Sequence, residues 1–388
     1  MPASQARKRL RVLRRCHTRA LAGTSHLAIR SPIPCASRRC SHGPAAILRH
    51  RLDREAALPT DRLNPSRRRA AIAATERVSS VMRQYPIGLL VLAGAFALGS
   101  VPAAADSLVV NGTTRTFTLQ APAAKPAPLV IVLHGKTQSS ADMITRTSWP
   151  LIARRDGFAA VYPDGLNHAW ADSRPGKRRA GNPPPEGTDD VAFITQLIAK
   201  LVTDGIADPK RIYVTGISNG GAMAMTLACE RADLFAAVAS VVMNLTDESA
   251  GTCRPARPVP MLLMNGTVDP LIPYQGGRGS SYFAVDGFWS TERTLEFWRR
   301  IDGCEAKDDA TTDLPDRNPS DQSTVTRIDS VCPQGRDVVL YRVNGGGHRM
   351  PGHFPDAHFT KLAATLLGPQ NGDIDGADTI WAFFARFP

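Results

Sequence analysis

The sequence lacks the patterns by which proteins bind nucleotides and metals. No G-x-G-x-x-G run follows a predicted strand, there is no P-loop, and the seven cysteines form no C-x-x-C pair. There is also no internal repeat or long linker. Aromatic residues make up only 6% of the chain, but the apolar share of 43% is ordinary for a folded protein. We therefore expect a globular protein that needs no cofactor and no metal.

Residues 106–388 lack the positive charge that the net charge of the whole chain suggests. The net charge is +12, yet residues 1–81 hold 18 Lys and Arg against 4 acidic residues, whereas residues 106–388 hold 28 against 31. A surface without net positive charge does not attract polyanions. We therefore expect no nucleic-acid partner for residues 106–388.

An apolar run long enough to cross a membrane is missing too. Met82 and an arginine precede the apolar run 87–98, which is shorter than the roughly twenty residues that span a bilayer. A small-residue A-x-A site follows it, which is typical of a secretory signal peptide. We predict a signal peptide over 82–105, a secreted or periplasmic protein that begins near Asp106, and no stable membrane insertion after cleavage. An uncleaved membrane anchor is the alternative.

Residues 1–81 precede this pattern and are rich in arginine, without hydrophobic periodicity. Because a signal peptide functions at an amino terminus, the simplest interpretation is that translation begins at Met82 and that the extension is disordered or not translated. A basic nucleic-acid arm or a transit peptide remain as alternatives.

Four cysteines lie within 106–388, at Cys229, Cys253, Cys304 and Cys332. An even number in an exported chain favours two disulfides. We predict that sequence neighbours pair, Cys229 with Cys253 and Cys304 with Cys332, because each bond then closes a short loop. Each bond would stabilise the folded state by about 3 kcal/mol, because it restricts the unfolded chain. Four unpaired buried thiols are the alternative.

Apolar runs alternate with helical patterns after residue 106. Runs that are apolar on both faces predict strands buried in a parallel sheet, and Asn111-Gly112 predicts the turn of an opening β-hairpin. The alternation predicts one α/β domain over 106–388, with a mostly parallel central sheet flanked by helices. The predicted strands are 107–110, 113–119, 129–133, 158–162, 211–215, 236–242, 261–264 and 338–343, the predicted helices are 141–155, 190–203, 220–231, 291–301 and 377–384, and the predicted surface loops are 171–187 and 306–323.

A G-x-S-x-G run at 216–220 lies between a predicted strand and a predicted helix. This order is that of a nucleophile elbow, which presents a serine on a sharp turn at the carboxyl edge of a sheet. Ser218 is therefore the candidate nucleophile, and a plain glycine turn is the alternative. A serine needs a base that a carboxylate orients.

His348 follows the strand 338–343 through three glycines, and Asp269 directly follows the strand 261–264. Both positions lie at the carboxyl edge, where ligands bind in open α/β sheets. We predict His348 as the base and Asp269 as its orienting acid. Asp269 could instead be a plain turn residue. Other candidate bases are His353 and His358. Other candidate acids between Ser218 and His348 are Asp247, Asp286 and Asp302.

The oxyanion of the intermediate needs fixed hydrogen-bond donors. We predict the backbone N–H groups of Asn219, after the nucleophile, and of Lys136, in the loop after the strand 129–133. Trp170 and His134 are candidate substrate contacts near that loop. Core packing is the alternative for Trp170, and bracing of the loop is the alternative for His134. Asp189 and Asp190 are expected to cap the following helix.

These motifs resemble those of the polyhydroxybutyrate depolymerase-like esterases, which are related to secreted feruloyl and acetylxylan esterases of the α/β-hydrolase superfamily. The resemblance covers nearly all of 106–388 and rests on LHG at 133–135, YPDG at 162–165, Trp170, DDV at 189–191, GISNGG at 216–221, GTVD at 266–269, IPY at 272–274 and GC at 303–304. It implies an α/β-hydrolase fold and a triad of Ser218, Asp269 and His348.

The function that the resemblance implies is a secreted serine esterase acting on poly- or oligo-hydroxyalkanoate esters through an acyl-enzyme. A feruloyl or acetylxylan esterase is the first alternative. A peptidase and a non-catalytic binding protein on the same fold are more distant ones. Polymer depolymerases of this type often carry a separate polymer-binding domain, and none is seen before residue 388. We therefore expect soluble esters and short oligomers to be preferred over solid polyester.

Overall fold

The computed structural model describes residues 105–172, 182–279, 287–333, 335–352 and 365–388. The extension 1–81 and nearly all of the expected signal peptide lie outside the described residues, and so do His353, His358 and Asp286. The predictions made for those positions stay predictions.

The described chain begins with the expected hairpin. Strands β1 (Asp106–Val110) and β2 (Thr113–Gln120) pair in antiparallel fashion. Asn111 and Gly112 connect them with φ angles of 50° and 78°. Positive φ at both central residues matches the right-handed twist of the strands, which is why Asn-Gly suits this turn.

A ten-stranded sheet organises the domain, in the order β1-β2-β4-β3-β5-β6-β7-β10-β9-β8. The neighbours from β4 to β10 in this order are parallel, whereas both margins of the sheet are antiparallel. This mostly parallel sheet with an opening hairpin and flanking helices is the predicted α/β-hydrolase fold. The further strands are β3 (Ala127–Leu133), β4 (Ala159–Pro163), β5 (Ala207–Ile217), β6 (Ala237–Val241), β7 (Met261–Gly266), β8 (Glu305–Asp313), β9 (Thr324–Val331) and β10 (Val338–Asn344).

Both faces of the parallel strands are buried. Along β3, Leu129, Ile131 and Leu133 join the hydrophobic core on one face. Val130 and Val132 join the core on the other face. Side chains alternate between faces in a strand, so a continuous apolar run has to be covered on both sides. Each fully buried Val, Leu or Ile contributes roughly 2 kcal/mol.

Helices cover both faces of the sheet. Their bounds are α1 (Ser140–Arg146), α2 (Trp149–Asp156), α3 (Asp190–Thr203), α4 (Asn219–Glu230), α5 (Asp247–Thr252), α6 (Thr291–Asp302) and α7 (Gly376–Phe384). The single helix expected over 141–155 is two helices, because Thr147 is extended and Ser148 starts a new one. Pro150 favours this break, since it cannot donate a backbone hydrogen bond inside a helix but is accepted in a first turn.

The loop predicted over 306–323 was wrong in its first half. Strand β8 begins there and pairs with β9, which the sequence also did not predict. The β8 sequence EAKDDATTD has no apolar alternation, because it lies at the margin of the sheet with one neighbouring strand. Backbone pairing therefore forms this strand without the burial that makes a strand visible in a sequence.

Two disulfides join the cysteines in the pairs expected from the sequence. Cys229 at the end of α4 bonds to Cys253 after α5, and Cys304 after α6 bonds to Cys332 after β9. Each bond ties a helix end to a later segment. In the part of the chain that the structure describes, no helix is both long and apolar enough to span a membrane.

Candidate active site

Ser218 lies on a sharp turn between β5 and α4. Its φ of 56° is in the left-handed region, which a serine adopts only under constraint. A Cβ on Gly216 would lie 2.2 Å from the carbonyl oxygen of Gly220, and one on Gly220 would lie 2.4 Å from that of Leu133. The two glycines are thus required by the close approach of three backbone segments. The side chain of Ser218 remains partly exposed.

A hydrogen bond to the sheet holds the turn in place, and the turn leads directly into a helix. The backbone N–H of Ser218 donates to Val241 O on β6 at 2.9 Å. Asn219 is the first residue of α4. The partial positive charge of this helix end therefore lies next to Ser218, where it stabilises a developing negative charge.

Asp269 and His348 form a buried pair. The Nδ1 of His348 lies 2.7 Å from Oδ2 of Asp269, and their side chains are only 7% and 2% exposed. The other oxygen of Asp269 accepts the backbone N–H groups of Leu271 and Ile272, both at 2.8 Å. Because Oδ2 accepts from Nδ1–H, the Nε2 of His348 is left to accept a proton.

The loop that carries His348 is fastened to two distant segments. Gly345 N–H donates to Thr267 Oγ1 at 2.8 Å, next to the end of β7. His348 N–H donates to Leu367 O at 2.6 Å. A Cβ on Gly266 would lie 2.2 Å from Gly346 O, so the β7 end and the histidine loop are in backbone contact. Parallel pairing of β7 with β10 places the Asp269 and His348 loops side by side.

The predicted oxyanion loop lies beside the elbow. Strands β3 and β5 pair in parallel as far as Leu133 opposite Gly216. On either side of Lys136 the loop is fixed, by Gly135 N–H to Gln138 Oε1 and Thr137 N–H to His168 O, both at 2.8 Å. The connections that follow β3 and β5, which hold Lys136 and lead into Asn219, therefore lie side by side at one edge of the sheet.

Comparison with known proteins agrees with this geometry. The family model described as Esterase PHB depolymerase matches residues 116–269. The NocK protein of Nocardia uniformis subsp. tsuyamanensis, a proposed esterase, is 33% identical over 299 residues, which are 71% of this chain and 80% of that protein. The chain belongs to this esterase family. It is a serine ester hydrolase.

Two further relatives match a smaller share of their own length. Feruloyl esterase B of Piromyces equi is 31% identical over 230 residues, 58% of this chain and 40% of that protein. The poly(3-hydroxybutyrate) depolymerase of Ralstonia pickettii is 33% identical over 156 residues, 35% of this chain and 30% of that protein. The esterase thus spans less than half the length of both.

Trp170 and His134 do not contact the site as expected. Both side chains are fully buried, and the indole N–H of Trp170 donates to His134 O at 2.9 Å. A ring without exposed surface offers no face to a substrate, so their expected role as substrate contacts is corrected. Trp170 belongs to the core of the esterase, in agreement with the packing alternative.

His134 braces the loop after β3. Its Nε2 accepts the backbone N–H of Gly165 at 2.9 Å, and its Nδ1 lies 2.7 Å from Gly135 O. The ring therefore carries its proton on Nδ1 and is neutral. Burial lowers the pKa of His134, which favours the same neutral form. With both nitrogens engaged, His134 links the loops after β3 and β4.

A buried amide–carboxylate pair next to Ser218 was missed in the sequence. The side chain of Asn219 donates to Asp172 Oδ2 at 2.6 Å and accepts the backbone N–H of Trp170 at 2.7 Å. Both Asn219 and Asp172 are nearly buried. The elbow motif points only to the backbone of Asn219, and no spacing rule connects two residues 47 positions apart.

Asp189 and Asp190 were both expected to cap α3, but only Asp189 does so. Asp189 caps α3 by accepting Ala192 N–H at 2.8 Å. Asp190 forms a buried ion pair with Arg115 at 2.6 Å and accepts Ala171 N–H at 2.6 Å. It thereby holds the segment that precedes Asp172 against β2.

A pocket opens next to His348. It extends from the loop after β3 and from α1 to the histidine loop. Its walls include the apolar side chains of Ile217, Met143, Met350 and Leu367. Within the described ranges, no group of three or more His, Cys, Asp or Glu side chains is placed to hold a metal ion.

Proposed function

We propose that Ser218, His348 and Asp269 form the catalytic triad of this esterase. The observation that carries the proposal is the buried His348–Asp269 hydrogen bond of 2.7 Å, at the sheet edge where the elbow presents Ser218. Such a pair both orients the imidazole and stabilises the imidazolium that forms during the reaction.

Acylation begins when His348 Nε2 accepts the proton of Ser218 Oγ while Oγ attacks the ester carbonyl carbon. The negative charge on the carbonyl oxygen is stabilised by the N–H groups of Asn219 and Lys136 and by the start of α4. His348 then gives the proton to the alcohol oxygen, which leaves. The acyl group remains on Ser218.

Deacylation repeats these steps with water as the nucleophile. His348 accepts a proton from the water, the hydroxide oxygen attacks the acyl carbon, and Ser218 Oγ leaves with the proton that His348 returns. Asp269 holds the imidazole in place throughout, because it accepts the imidazole N–H with one oxygen and two backbone N–H groups with the other.

We propose soluble hydroxyalkanoate esters and short oligomers as the substrates. The likeness to the Ralstonia pickettii depolymerase supports this class. The described walls of the pocket beside His348 combine the apolar side chains of Met143, Ile217 and Met350 with polar and charged ones. They include no aromatic ring besides the imidazole, so they offer no stacking surface for a feruloyl ring. A feruloyl esterase remains the second candidate, because feruloyl esterase B of Piromyces equi matches over a longer stretch.

The triad can be tested by covalent labelling. A fluorophosphonate should modify Ser218, as seen by peptide mass spectrometry, and p-nitrophenyl butyrate hydrolysis should fall by about 10⁶-fold in Ser218→Ala and in His348→Ala. Circular dichroism should show that both variants are folded. Near-normal turnover in either variant would remove that residue from the mechanism.

The substrate class needs a separate comparison. Rates on 3-hydroxybutyrate oligomers, methyl ferulate and acetylated xylan, each as kcat/KM on the same preparation, should rank the oligomers first. A higher kcat/KM for methyl ferulate would favour the second candidate and leave the triad untouched.

We also propose that the esterase is exported and acts outside the cytoplasm. Two disulfides support this, since such bonds persist in oxidising compartments. The secreted protein should begin near Asp106 by amino-terminal sequencing and contain no titratable thiol after denaturation. Free thiols at Cys229 or Cys304 in that preparation would contradict the proposal.

A further inference from the structure

Gln138 lines the pocket beside His348, and one atom of its side-chain amide is fixed. Its Oε1 accepts the backbone N–H of Gly135 at 2.8 Å. A Cβ on Gly135 would lie 2.7 Å from that oxygen, so the contact depends on a glycine at position 135. Because a backbone N–H can only donate, the atom that it contacts must be the amide oxygen, and this fixes where the NH₂ group lies.

The backbone of Gln138 is held as well. Its N–H donates to Gly135 O at 3.1 Å, and its carbonyl oxygen lies 3.1 Å from Nδ1 of His168. The next residue, Ser139, caps the start of α1. Gln138 is also half-buried. Its Nε2 therefore has little freedom to move, which lowers the entropy lost when a ligand binds to it.

The Nε2 of Gln138 carries two N–H groups, and among the described residues neither has an acceptor. Gln370 lines the same pocket, but its Nε2 donates to Met350 O at 3.1 Å and only its oxygen is left over. Arg146 and Arg349 line the pocket too, and both already have partners. A half-buried donor without a protein acceptor loses free energy unless water or a ligand accepts from it.

The position of His348 indicates which part of the ester lies in this pocket. The base returns its proton to the alcohol oxygen, so the leaving alcohol lies on the His348 side of the scissile carbonyl. His348, Arg349 and Met350 line the pocket in succession. In a hydroxyalkanoate oligomer the leaving alcohol is the next hydroxyacyl unit. The nearest acceptor in that unit, beyond the scissile ester, is its own carbonyl oxygen.

We infer that Gln138 recognises the leaving unit, with Nε2 donating to the carbonyl oxygen of the hydroxyacyl unit that follows the scissile ester. The donor is neutral, so it binds an ester carbonyl without needing a charged end group. The preferred substrates are then oligoesters that have a second carbonyl on the alcohol side. This inference rests on the proposed triad and substrate class, and it adds to them a residue that distinguishes oligoesters from simple alkyl esters.

The test compares two butyrate esters whose alcohol parts have the same length. One is the butyrate ester of methyl 3-hydroxybutyrate, which has a second carbonyl in its alcohol part. The other is the butyrate ester of 2-hexanol, which has methylene groups instead. Both are neutral and share the acyl group. The measured quantity is the ratio of their kcat/KM values, because a change that acts on the triad lowers both values alike and cancels in the ratio.

Two variants remove the donor in different ways. Gln138→Glu keeps an oxygen for Gly135 N–H but has no N–H group, and Gln138→Met has no donor and adds no charge. In both, the ratio should fall about three- to tenfold, which is the effect of one neutral hydrogen bond. Gln138→Met also releases Gly135 N–H, so it should lower both kcat/KM values as well. Circular dichroism and hydrolysis of p-nitrophenyl butyrate show whether each variant is folded and active.

Gln120→Met is the matched control. Gln120 on β2 also bonds to a backbone group, with Nε2 2.9 Å from Pro150 O, but it does not line the pocket. Its ratio should equal that of the native enzyme. An unchanged ratio in both Gln138 variants would overturn the inference and limit Gln138 to holding the loop after β3. A fall in Gln138→Glu alone would show repulsion by the new charge and would also overturn it.

Labelling of Ser218 separates this inference from the proposed function. Normal labelling by a fluorophosphonate together with an unchanged ratio would leave the triad in place and reject only the role of Gln138. Absence of Ser218 labelling in the native enzyme would instead overturn the proposed function.

Discussion

The elbow around Ser218 and the loop around His348 meet at one edge of the sheet but are built differently. At the elbow, the closest backbone approach joins Gly216 to Gly220, four residues apart. At the histidine loop, it joins Gly266 to Gly346, and the nearest hydrogen bonds reach Thr267 and residues beyond 365. Both arrangements exclude larger residues, but only the first is contained in a short sequence motif.

This difference shows why a nucleophile is easier to find in a sequence than its base. The elbow depends on local backbone geometry, which a fixed G-x-S-x-G spacing specifies. The histidine loop depends on which strands become neighbours, in this case β7 and β10, which are far apart in the chain. Each part can be disturbed alone, and the effects should differ in kind.

The largest effect is expected from weakening the contact between Asp269 and His348. Asp269→Asn keeps the shape of the side chain but removes the charge that orients His348, so kcat on p-nitrophenyl butyrate should fall by about 10⁴-fold. Stopped-flow or long-time assays measure this loss. The melting temperature should change little, since both backbone N–H groups can still donate to the remaining amide oxygen.

Asp247→Asn is the control for that experiment, because Asp247 lies in the same interval of the chain but is exposed. It should keep full activity. Turnover of Asp269→Asn within about tenfold of the native rate would mean that another group orients the base, and would remove Asp269 from the triad.

Glycine replacements compare the packing of both parts directly. In Gly220→Ala the new Cβ would lie 2.4 Å from Leu133 O, and in Gly266→Ala it would lie 2.2 Å from Gly346 O. Both should lower the free energy of unfolding by about 4 kcal/mol or prevent folding, because backbone atoms cannot move aside. Urea denaturation monitored by fluorescence measures the effect.

Gly251→Ala is the matched control for the glycine pair. A Cβ added at Gly251 on α5 would have no atom within 4 Å, and the φ of this residue is not positive. The replacement should be neutral or stabilise the helix by up to about 1 kcal/mol. A loss as large as that of Gly220→Ala would show that close approach is not the cause.

Asp302, the last residue of α6, has a buried carboxyl group that contacts the segment before β7. It tests whether the stability of the protein can change without a change in the chemistry of His348. Asp302 Oδ1 accepts Val259 N–H at 3.2 Å, and among the described residues its Oδ2 has no hydrogen-bond partner. Burial raises the pKa of Asp302 to about 7. The folded state therefore holds a proton that the unfolded chain releases near pH 4, so stability falls as pH rises from about 4 to about 7 and is constant above that.

Asp302→Asn should remove that part of the pH dependence, which is on the order of 4 kcal/mol. The measurement is urea denaturation of both proteins between pH 4 and 8, compared as a difference curve. The pH profile of kcat should be the same in both. A flat difference curve would show that Asp302 is ionised in the folded state, and an altered kcat profile would show that β7 transmits charge to His348.

The smallest effect is expected on the elbow side, at Asp172. Asp172→Ala removes the nearer acceptor of the Asn219 side-chain amide, which also donates to Trp170 O at 3.2 Å. It should lower kcat about tenfold with little change in KM, because the proposed oxyanion donor becomes less well fixed. Asp172→Asn keeps an acceptor and should restore most of kcat. Fluorophosphonate labelling of Ser218 should slow in parallel with kcat.

A purely structural role for Asp172 predicts a different pattern. In that case both variants would lose stability in urea, and the labelling rate of the folded fraction would equal that of the native enzyme. That outcome would remove Asp172 from the positioning of the elbow.

Much of the parallel sheet could be predicted because its strands are apolar on both faces, as in β3 and β7. Strand β8 could not, since a polar strand at the margin leaves no apolar pattern. The interruption at Thr147 was missed for a related reason, because the apolar pattern continues across it and one extended residue divides the helix. The candidate triad Ser218, Asp269 and His348 follows from motif and strand order.

The sequence by itself determined the fold class and the elbow, because each depends on residue type and on short or regular spacing. For the cysteines it supported only a preference for sequence neighbours, and the structure decided the pairs. Only the tertiary structure decided that Trp170 is buried, that Asp172 holds Asn219, and that two arginines line the pocket beside His348. These features depend on distances between segments that come together only when the sheet forms. A side chain's solvent exposure and its partners follow from which strands become neighbours, and that is a property of the whole domain.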